Sequence, residues 1–248
     1  MRVFTISDIH ADYKENLLKI KNISQSDYKN DILIVAGDIS SKLKLISEVS
    51  IILKSKFKSV FFVAGNHDLW LEDRNQLSSF QKYAELIKVL TEEGIETKPY
   101  RIDNLVLIPI PSWYDYSFNL PKTVDCKNWS DSTRCKWPFS VELITTFFLS
   151  LSNTVTPLED DYVITYSHFL PRIDFLPEKL ILHIPHIVPF LGSTLIDEKI
   201  RGFGTKIHVC GHLHYNFSLM KDSVLYVNNS LGYPHEYRAN ESLLVQLL

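Results

Sequence analysis

Five short apolar runs, each closed by a small polar cluster, constrain this chain more than any other feature of its sequence. The run at residues 60–64 is continuous and rich in β-branched and aromatic side chains, which is typical of a buried strand. Gly65-Asn66-His67-Asp68 follows at once, and Gly65 allows a sharp turn without a Cβ penalty. Four other clusters stand in the same relation to a predicted strand: Asp8-Ile9-His10, Gly37-Asp38, Ser167-His168 and Gly211-His212-Leu213-His214.

The apolar pattern between these clusters predicts an α/β fold. Strands are predicted at residues 2–6, 31–36 and 60–64, with helical apolar spacing at 14–22 and 43–53 between them. This alternation is typical of parallel strands covered by helices. Further helices are predicted near 81–92, 141–151 and 191–201, and further strands at 101–110, 161–166, 206–210 and 223–228. The proline-rich piece at 171–190 cannot form one long helix.

Each polar cluster taken alone has a purely structural explanation. Asp8 and Asp38 could cap helices, and a single histidine is more often a satisfied core group than a ligand. However, ligands in open α/β sheets bind beyond the carboxyl ends of the strands, where all five clusters would meet. We therefore predict a metal site at that edge.

The donor types restrict the metal. Asp8 and His10 are two residues apart, so in an extended segment both side chains would point to the same side and could bind one ion. Carboxylates, imidazoles and one amide oxygen without thiolate suit Mn, Fe, Zn or Ni. Seven donors are too many for one ion. We predict two ions about 3.5 to 4 Å apart that share a carboxylate, an arrangement used for in-line attack on phosphorus.

The motifs D-x-H, G-D, G-N-H-D, a lone His and G-H-x-H, in this order over about the first 214 residues, resemble those of the calcineurin-like metallophosphoesterase superfamily. Residues 112–118, 135–138 and 228–234 also resemble an uncharacterised branch of it. The resemblance implies a four-layer αββα sandwich of two mixed β-sheets flanked by helices, with the metal site at the carboxyl ends of the strands. It assigns the ligands as follows: Asp8, His10 and His214 to one metal, Asn66, His168 and His212 to the other, and Asp38 to the bridge.

Two residues are implied to be catalytic. His67 would protonate the leaving group or hold the phosphate, and Asp68 would orient that imidazole by a hydrogen bond. One departure matters, since the G-D-x-x-D-R-G motif of protein Ser/Thr phosphatases is absent after Gly37-Asp38, where Ile39-Ser40-Ser41-Lys42 follows. This argues against a phosphoprotein phosphatase.

The expected activity is hydrolysis of a phosphomonoester or phosphodiester by a metal-bridging hydroxide. The cofactors would be two divalent or trivalent transition-metal ions, with Mn preferred and Fe, Zn or Ni as alternatives. Two other interpretations stay open: a phosphodiesterase specific for a nucleotide or another small molecule, and a non-catalytic protein-binding scaffold of the same fold. A scaffold should lose ligands first, and none is lost here.

An aromatic-rich insertion at about 111–138 holds Trp113, Trp129 and Trp137. A long loop without periodicity inside a compact domain is often functional. It is either a lid or substrate wall, in which Trp113 or Tyr114 could face the metals and stack a base, or a packed surface loop.

Size and charge limit the remaining possibilities. We expect the 248 residues to form a single domain. A net charge of -3 gives no signal for binding a nucleic-acid polymer, so the expected partner is a phosphorylated small molecule or a nucleotide. Three cysteines without a CxxC pair, no leader and no long apolar run predict a soluble cytoplasmic protein without membrane contact.

Overall fold

Ten strands in two sheets form the frame of the part of the chain that the structure describes. The structure is a computed structural model, and it describes residues 1–72, 78–118, 129–236 and 242–248. The strands are β1 (Val3–Ile6), β2 (Ile32–Val35), β3 (Ser59–Phe62), β4 (Tyr100–Ile102), β5 (Leu105–Pro109), β6 (Tyr162–Tyr166), β7 (Ile207–Cys210), β8 (Phe217–Lys221), β9 (Val224–Asn228) and β10 (Val245–Gln246).

Both sheets are mixed. The first has the order β10-β1-β2-β3, with β1, β2 and β3 parallel and β10 antiparallel at the edge. Ile6 pairs with Val35 and Val35 with Phe62, so these three strands end level with one another. The second has the order β4-β5-β6-β7-β9-β8, in which only the edge strands β4 and β8 are antiparallel.

Seven α-helices connect the strands of the described residues. They are α1 (Lys14–Lys21), α2 (Leu43–Lys54), α3 (Ser79–Glu92), α4 (Asp131–Arg134), α5 (Val141–Ser150), α6 (Glu178–His183) and α7 (Thr194–Gly202), and short 3-10 turns lie at His67–Leu69, Val188–Phe190 and Pro234–Glu236. The Ser193 side chain accepts a hydrogen bond from the Leu195 N–H, which fixes the start of α7 after residue 193. The proline-rich piece is divided as expected, into α6 and a 3-10 turn.

The central strands are buried on both faces, which produces four layers. In β2, Ile32 and Ile34 pack toward the second sheet with Ile164 and Val209, whereas Leu33 and Val35 belong to the core beneath the helices. That outer core also contains helix residues at 3.6-residue spacing, such as Ile46, Val49 and Leu53 of α2. The expected αββα sandwich is therefore confirmed.

The apolar pattern did not predict two edge strands, the two-residue β10 and the longer β8, of which β8 shows the reason. Its side chains are exposed or only partly buried, because it forms an edge of the second sheet and pairs antiparallel with β9. An edge strand with a solvated face lacks the apolar run that identifies the central strands. No helix among the described residues is long and apolar enough to cross a membrane.

Candidate metal centre

The predicted ligands lie where parallel strands of both sheets end at the same edge. Asp8, Asp38 and Asn66 follow β1, β2 and β3 of the first sheet. His168 and His212 follow β6 and β7, whose residues Tyr166 and Val209 pair directly. Two hydrogen bonds from the backbone N–H of His212 to the Asp8 carboxylate, at 3.0 and 3.1 Å, connect the two sheets here.

The backbone at this edge is left-handed rather than extended. Nine non-glycine residues of the described chain have positive φ, and five of them are predicted ligands: Asp8, His10, Asp38, His212 and His214. The expectation that Asp8 and His10 share an extended segment is wrong, because their φ angles are 51° and 44° and β1 ends at Ile6. Strained conformations of this kind cluster at functional sites.

Two of the glycines that precede ligands are required because another ligand side chain packs directly against their backbone. A Cβ on Gly37, whose φ is 84°, would lie 2.6 Å from Nδ1 of His168. A Cβ on Gly211 would lie 2.7 Å from the Asp8 carboxylate. Both contacts are closer than real Cβ atoms make, so only glycine lets these turns approach the ligands.

The first donor group consists of Asp8, His10 and His214. The Nε2 atoms of His10 and His214 are 3.0 Å apart, and His214 Nε2 lies 3.3 Å from Oδ1 of Asp8. Nδ1 of His214 is 2.7 Å from the Glu236 carboxylate, which fixes the ring. The hydroxyl of Ser230 donates to Oδ2 of Asp8 at 2.6 Å.

The second donor group consists of Asp38, His168 and His212, with Asn66 beside it. Nε2 of His168 lies 3.1 Å from Oδ1 of Asn66, 3.2 Å from Nδ1 of His212 and 3.4 Å from Oδ2 of Asp38. Asp38 also belongs to a third group, with His10 and His67. Asp38 is therefore the residue that lies between the two predicted metal positions.

The protonation of these imidazoles fits a bound cation. Nδ1 of His168 is 2.9 Å from the Ala36 carbonyl, and Nε2 of His212 is 3.2 Å from the Phe190 carbonyl. A carbonyl only accepts, so these nitrogens carry the proton and the ring nitrogens that face each other have lone pairs. Lone pairs 3.2 Å apart need a proton or a metal ion between them. The same holds where the amide oxygen of Asn66 faces His168.

The charges of the site also attract a cation. Burial lowers the pKa of His168, but Asp38, Asp8 and the Ala36 carbonyl together outweigh it and raise the pKa to about 9. In the same way Asp8 and Glu236 together raise the pKa of His214 to about 10 against the effect of burial. Burial lowers the pKa of His10 to about 4. The carboxylates thus draw a positive charge to both donor groups.

His67 lies at the edge of this site, with 15% of its side chain exposed. Its Nε2 is 3.9 Å from Oδ2 of Asp38, and its backbone N–H donates to Oδ1 of Asp38 at 2.9 Å. Its ring stacks on Trp70, with the centroids 3.5 Å apart. Burial lowers the pKa of His67, although Asp38 opposes this. The imidazole is accordingly neutral near pH 7.

Asp68 does not make the hydrogen bond to His67 that the resemblance implied. Its Oδ1 accepts from the backbone N–H of Ile39 and Ser40, at 2.8 and 3.2 Å, and its Oδ2 accepts from those of Asp38 and Gly65, at 2.8 and 2.9 Å. The carboxylate points away from the imidazole because four backbone donors of two turns surround it. Asp68 therefore joins the turn after β2 to the turn after β3.

The insertion both packs and lines the site. Trp113 and Tyr114 are buried against Phe169 and do not face the metal ligands, so neither stacks a base there. Trp129 does line the cavity over the ligands, together with Trp70, Ile187, Leu191, Leu213 and Tyr233. The cavity has a volume of about 310 Å³. Residues 119–128 of the insertion, including Cys126, lie outside the described residues.

Sequence reasoning missed two acidic partners of the site, the buried Asp131 and the exposed Glu236. Asp131 accepts a hydrogen bond from the Asn66 amide at 2.9 Å, and Glu236 holds His214. Asp131 is 65 positions from Asn66, so no local spacing connects them. The two tryptophans that donate to it, Trp70 and Trp129, needed an acceptor for their N–H groups and were the available signal.

Comparison with known sequences agrees with this geometry. Residues 1–216 match the family described as "Calcineurin-like phosphoesterase". A curated protein, the acyl-carrier-protein phosphodiesterase PptH of Mycobacterium tuberculosis, is 26% identical over 265 aligned residues, which cover 95% of this chain and 79% of that protein. A symmetrical bis(5'-nucleosyl)-tetraphosphatase of Buchnera aphidicola is 41% identical over 69 residues, only 28% of this chain and 25% of that protein.

Comparison with solved structures supports the same fold. The crystal structure of phosphopantetheinyl hydrolase from Mycobacterium tuberculosis superimposes with a TM-score of 0.83. The match covers 100% of this chain and 95% of that one, at 22% identity.

Proposed function

This chain belongs to the calcineurin-like phosphoesterase family, and on that premise we propose that it is a phosphodiesterase rather than a phosphomonoesterase. Its membership makes it a metal-dependent phosphoesterase, a hydrolase of phosphoester bonds. The finer assignment rests on one observation. None of the described residues that line the cavity is a lysine or an arginine.

The lack of a lysine or arginine among the described lining residues matters because phosphomonoesters and phosphodiesters differ in charge. A phosphomonoester carries a charge of about −1.5 to −2 at pH 7, whereas a diester carries one negative charge. Arginine is the usual partner for a phosphate dianion, since it donates two parallel hydrogen bonds. Arg172 cannot take this role, because it lies in another depression and pairs with Asp174, Asp197 and Asp222. The cavity is therefore better suited to a diester.

The apolar part of the lining supports an uncharged arm on one side of the phosphorus. Ile187, Leu191 and Leu213 line the cavity together with Trp129 and Tyr233, and these five side chains give it an apolar surface. The curated relative acts, by its name, on an acyl carrier protein as a phosphodiesterase. By analogy we propose that the substrate is a phosphodiester that joins an uncharged organic arm to a larger alcohol, such as a serine side chain of a carrier protein.

Seven residues would hold two metal ions. Asp8, His10 and His214 would bind one, Asn66, His168 and His212 the other, and Asp38 would bind both. Such ions, when bound, lower the pKa of water and neutralise charge on phosphoryl oxygens. The donor set suits Mn, which we propose as the resident metal, over Fe, Zn or Ni. For this chain we also keep a single domain and a cytoplasmic location as proposals.

His67 would act on the substrate directly. A neutral imidazole still has one N–H, which would donate a hydrogen bond to a phosphoryl oxygen. The lowered pKa favours this role over proton donation to the leaving group. The stack on Trp70 would hold the ring in place. Asp68 would support the reaction through the two turns that carry Asp38 and His67.

The test compares esters on one metal-reconstituted preparation. The metal-free protein is loaded with Mn, Fe, Zn or Ni and assayed with bis-p-nitrophenyl phosphate, p-nitrophenyl phosphate, a phosphopantetheinylated carrier protein and a dinucleoside polyphosphate. We expect kcat/KM for the simple diester to exceed that for the monoester at least tenfold, a difference of about 1.4 kcal/mol. Faster monoester hydrolysis would overturn the proposal. Less than about one bound ion and no turnover would instead favour the scaffold.

A further inference from the structure

The geometry points to Asp131 as a positioning residue that fixes two parts of the site at once, the Asn66 amide and, through Trp70, the His67 ring. No motif of the family match marks this residue, which the aromatic-rich insertion delivers. The inference rests on the proposed function only in that Asn66 and His67 are the groups it positions.

Asp131 is surrounded by three side-chain N–H donors, two from the turn after β3 and one from its own segment. Its Oδ1 accepts from Nδ2 of Asn66 at 2.9 Å and from Nε1 of Trp70 at 2.6 Å, and its Oδ2 accepts from Nε1 of Trp129 at 2.9 Å. The carboxyl group is almost fully buried, with 3% of the residue exposed. A carboxylate is the side chain that accepts all three bonds without donating any.

The bond to Asn66 decides which end of the amide faces the metal position. Because the NH₂ group donates to Asp131, the carbonyl oxygen Oδ1 is directed at Nε2 of His168, 3.1 Å away. The reversed amide would present its NH₂ group there, and an amide NH₂ does not bind a cation. Asp131 therefore selects the metal-binding orientation of Asn66, as acidic partners of metal ligands commonly do.

The bond to Trp70 carries the effect to His67. The indole of Trp70 stacks on the His67 ring at 3.5 Å, with the ring planes 29° apart. The guanidinium of Arg134, one turn after Asp131 in α4, lies 4.7 Å from the centroid of the same indole. Helix α4 thus holds Trp70 by a hydrogen bond and a cation–π contact, and Trp70 in turn fixes the plane of His67.

The experiment measures metal binding and turnover separately in Asp131→Ala, Asp131→Asn and Trp70→Leu, with Asp115→Ala as the matched control. Asp115 lies in the same insertion and accepts bonds from Ser117 and Ser193, away from the metal ligands. Affinity for each of two Mn²⁺ ions is followed by competition with a chelator, and kcat and KM with bis-p-nitrophenyl phosphate. Circular dichroism checks that each variant is folded.

We expect Asp131→Ala to bind one ion 10- to 100-fold more weakly while the other ion keeps its affinity. Its kcat should fall further than its KM changes. Asp131→Asn, whose remaining oxygen can still accept from Asn66 and Trp70, should recover most of the metal affinity. Trp70→Leu should keep both ions and lower kcat, and the double variant with Asp131→Ala should lose less kcat than the two single losses combined. Asp115→Ala should match the wild type.

Asp131→Ala with wild-type affinity for both ions would overturn the inference. Should Asp131→Ala not fold, Trp70→Leu decides it, because a wild-type kcat, or weaker binding of either ion, in that variant would overturn the inference. Failure of the proposed function is distinguishable, because a wild type that binds two ions but hydrolyses neither ester leaves the comparison of affinities intact.

Discussion

Replacement of Asp68 by Asn tests whether this carboxylate holds two turns together or orients His67. The substitution keeps the shape of the side chain but turns one oxygen into an NH₂ group. Either Oδ1, with the N–H groups of Ile39 and Ser40, or Oδ2, with those of Asp38 and Gly65, is lost as an acceptor. Two buried backbone donors would then face a donor.

The expected loss of stability follows from these contacts. A buried donor without a partner costs about 1–3 kcal/mol, so two cost about 2–6 kcal/mol. Burial, and then repulsion from Asp38, raises the pKa of Asp68 to about 7, and the neutral amide relieves that repulsion. The net loss should therefore lie near the lower end, about 2–3 kcal/mol, a large part of the 5–15 kcal/mol of a typical domain.

Urea unfolding of the metal-free protein at pH 8 measures the effect, since the wild-type carboxylate is mostly ionised there. Asp174→Asn is the matched control, because its carboxylate is 45% exposed and its ion pairs are worth about 0–1 kcal/mol. The reasoning would be refuted if Asp68→Asn had a stability within about 0.5 kcal/mol of the wild type and also lost kcat a hundred-fold or more. That pattern is what orientation of His67 would produce.

Three further predictions concern the charges of the site and of the core. Asp38→Asn should weaken both metal ions and abolish activity, whereas His67→Ala should keep both ions and lower kcat about a hundred- to thousand-fold, the usual cost of removing one hydrogen-bond donor to the reacting group. Metal analysis checks this, and equal metal loss in the two variants would contradict it. The pKa values of His168 and His214 are raised to about 9 and about 10, so both side chains are protonated in the metal-free protein at pH 7. Metal binding should therefore release about two protons, and the metal affinity should increase as pH rises. Calorimetry in two buffers measures the number of protons released, and release of less than about 0.5 proton would disprove the prediction. Burial lowers the pKa of His208 to about 3, below its ordinary 6.5, so only the unfolded chain takes up this proton, and His208 alone should contribute a loss of about 2 kcal/mol of stability to the metal-free protein between pH 7 and pH 5. Urea unfolding should show a smaller loss over this range for His208→Gln than for the wild type, and parallel pH curves would exclude the effect.

The sequence predicted what depends on local patterns. Apolar runs identify the buried central strands, and a polar cluster after each run places its residues at the edge where parallel strands end. This was enough to bring Asp8, His168 and His212 to one place although they are far apart in the chain. The predicted helices agree with the structure to within a few residues, because their apolar spacing follows 3.6 residues per turn.

Three features depended on contacts that no local pattern contains. Asp68 is next to His67 in sequence, yet its carboxylate serves backbone groups of two turns. Asp131 and Glu236 reach the ligands from distant segments. The insertion shows the same limit, since Trp113 and Trp129 have the same residue type but only Trp129 lines the cavity.

The division of the ligands between the two sheets has a consequence for how the protein matures. Asp8, Asp38 and Asn66 belong to the first 66 residues, but every complete donor group with a histidine from the second sheet must wait for residues 168–214 to be synthesised and docked. The two donor groups that contain His168, His212 or His214 would therefore take up metal only after the second sheet has docked on the first, and an ion bound there would link the two sheets. At a free metal concentration 100 times the dissociation constant, such an ion adds about 2.7 kcal/mol against separation of the sheets.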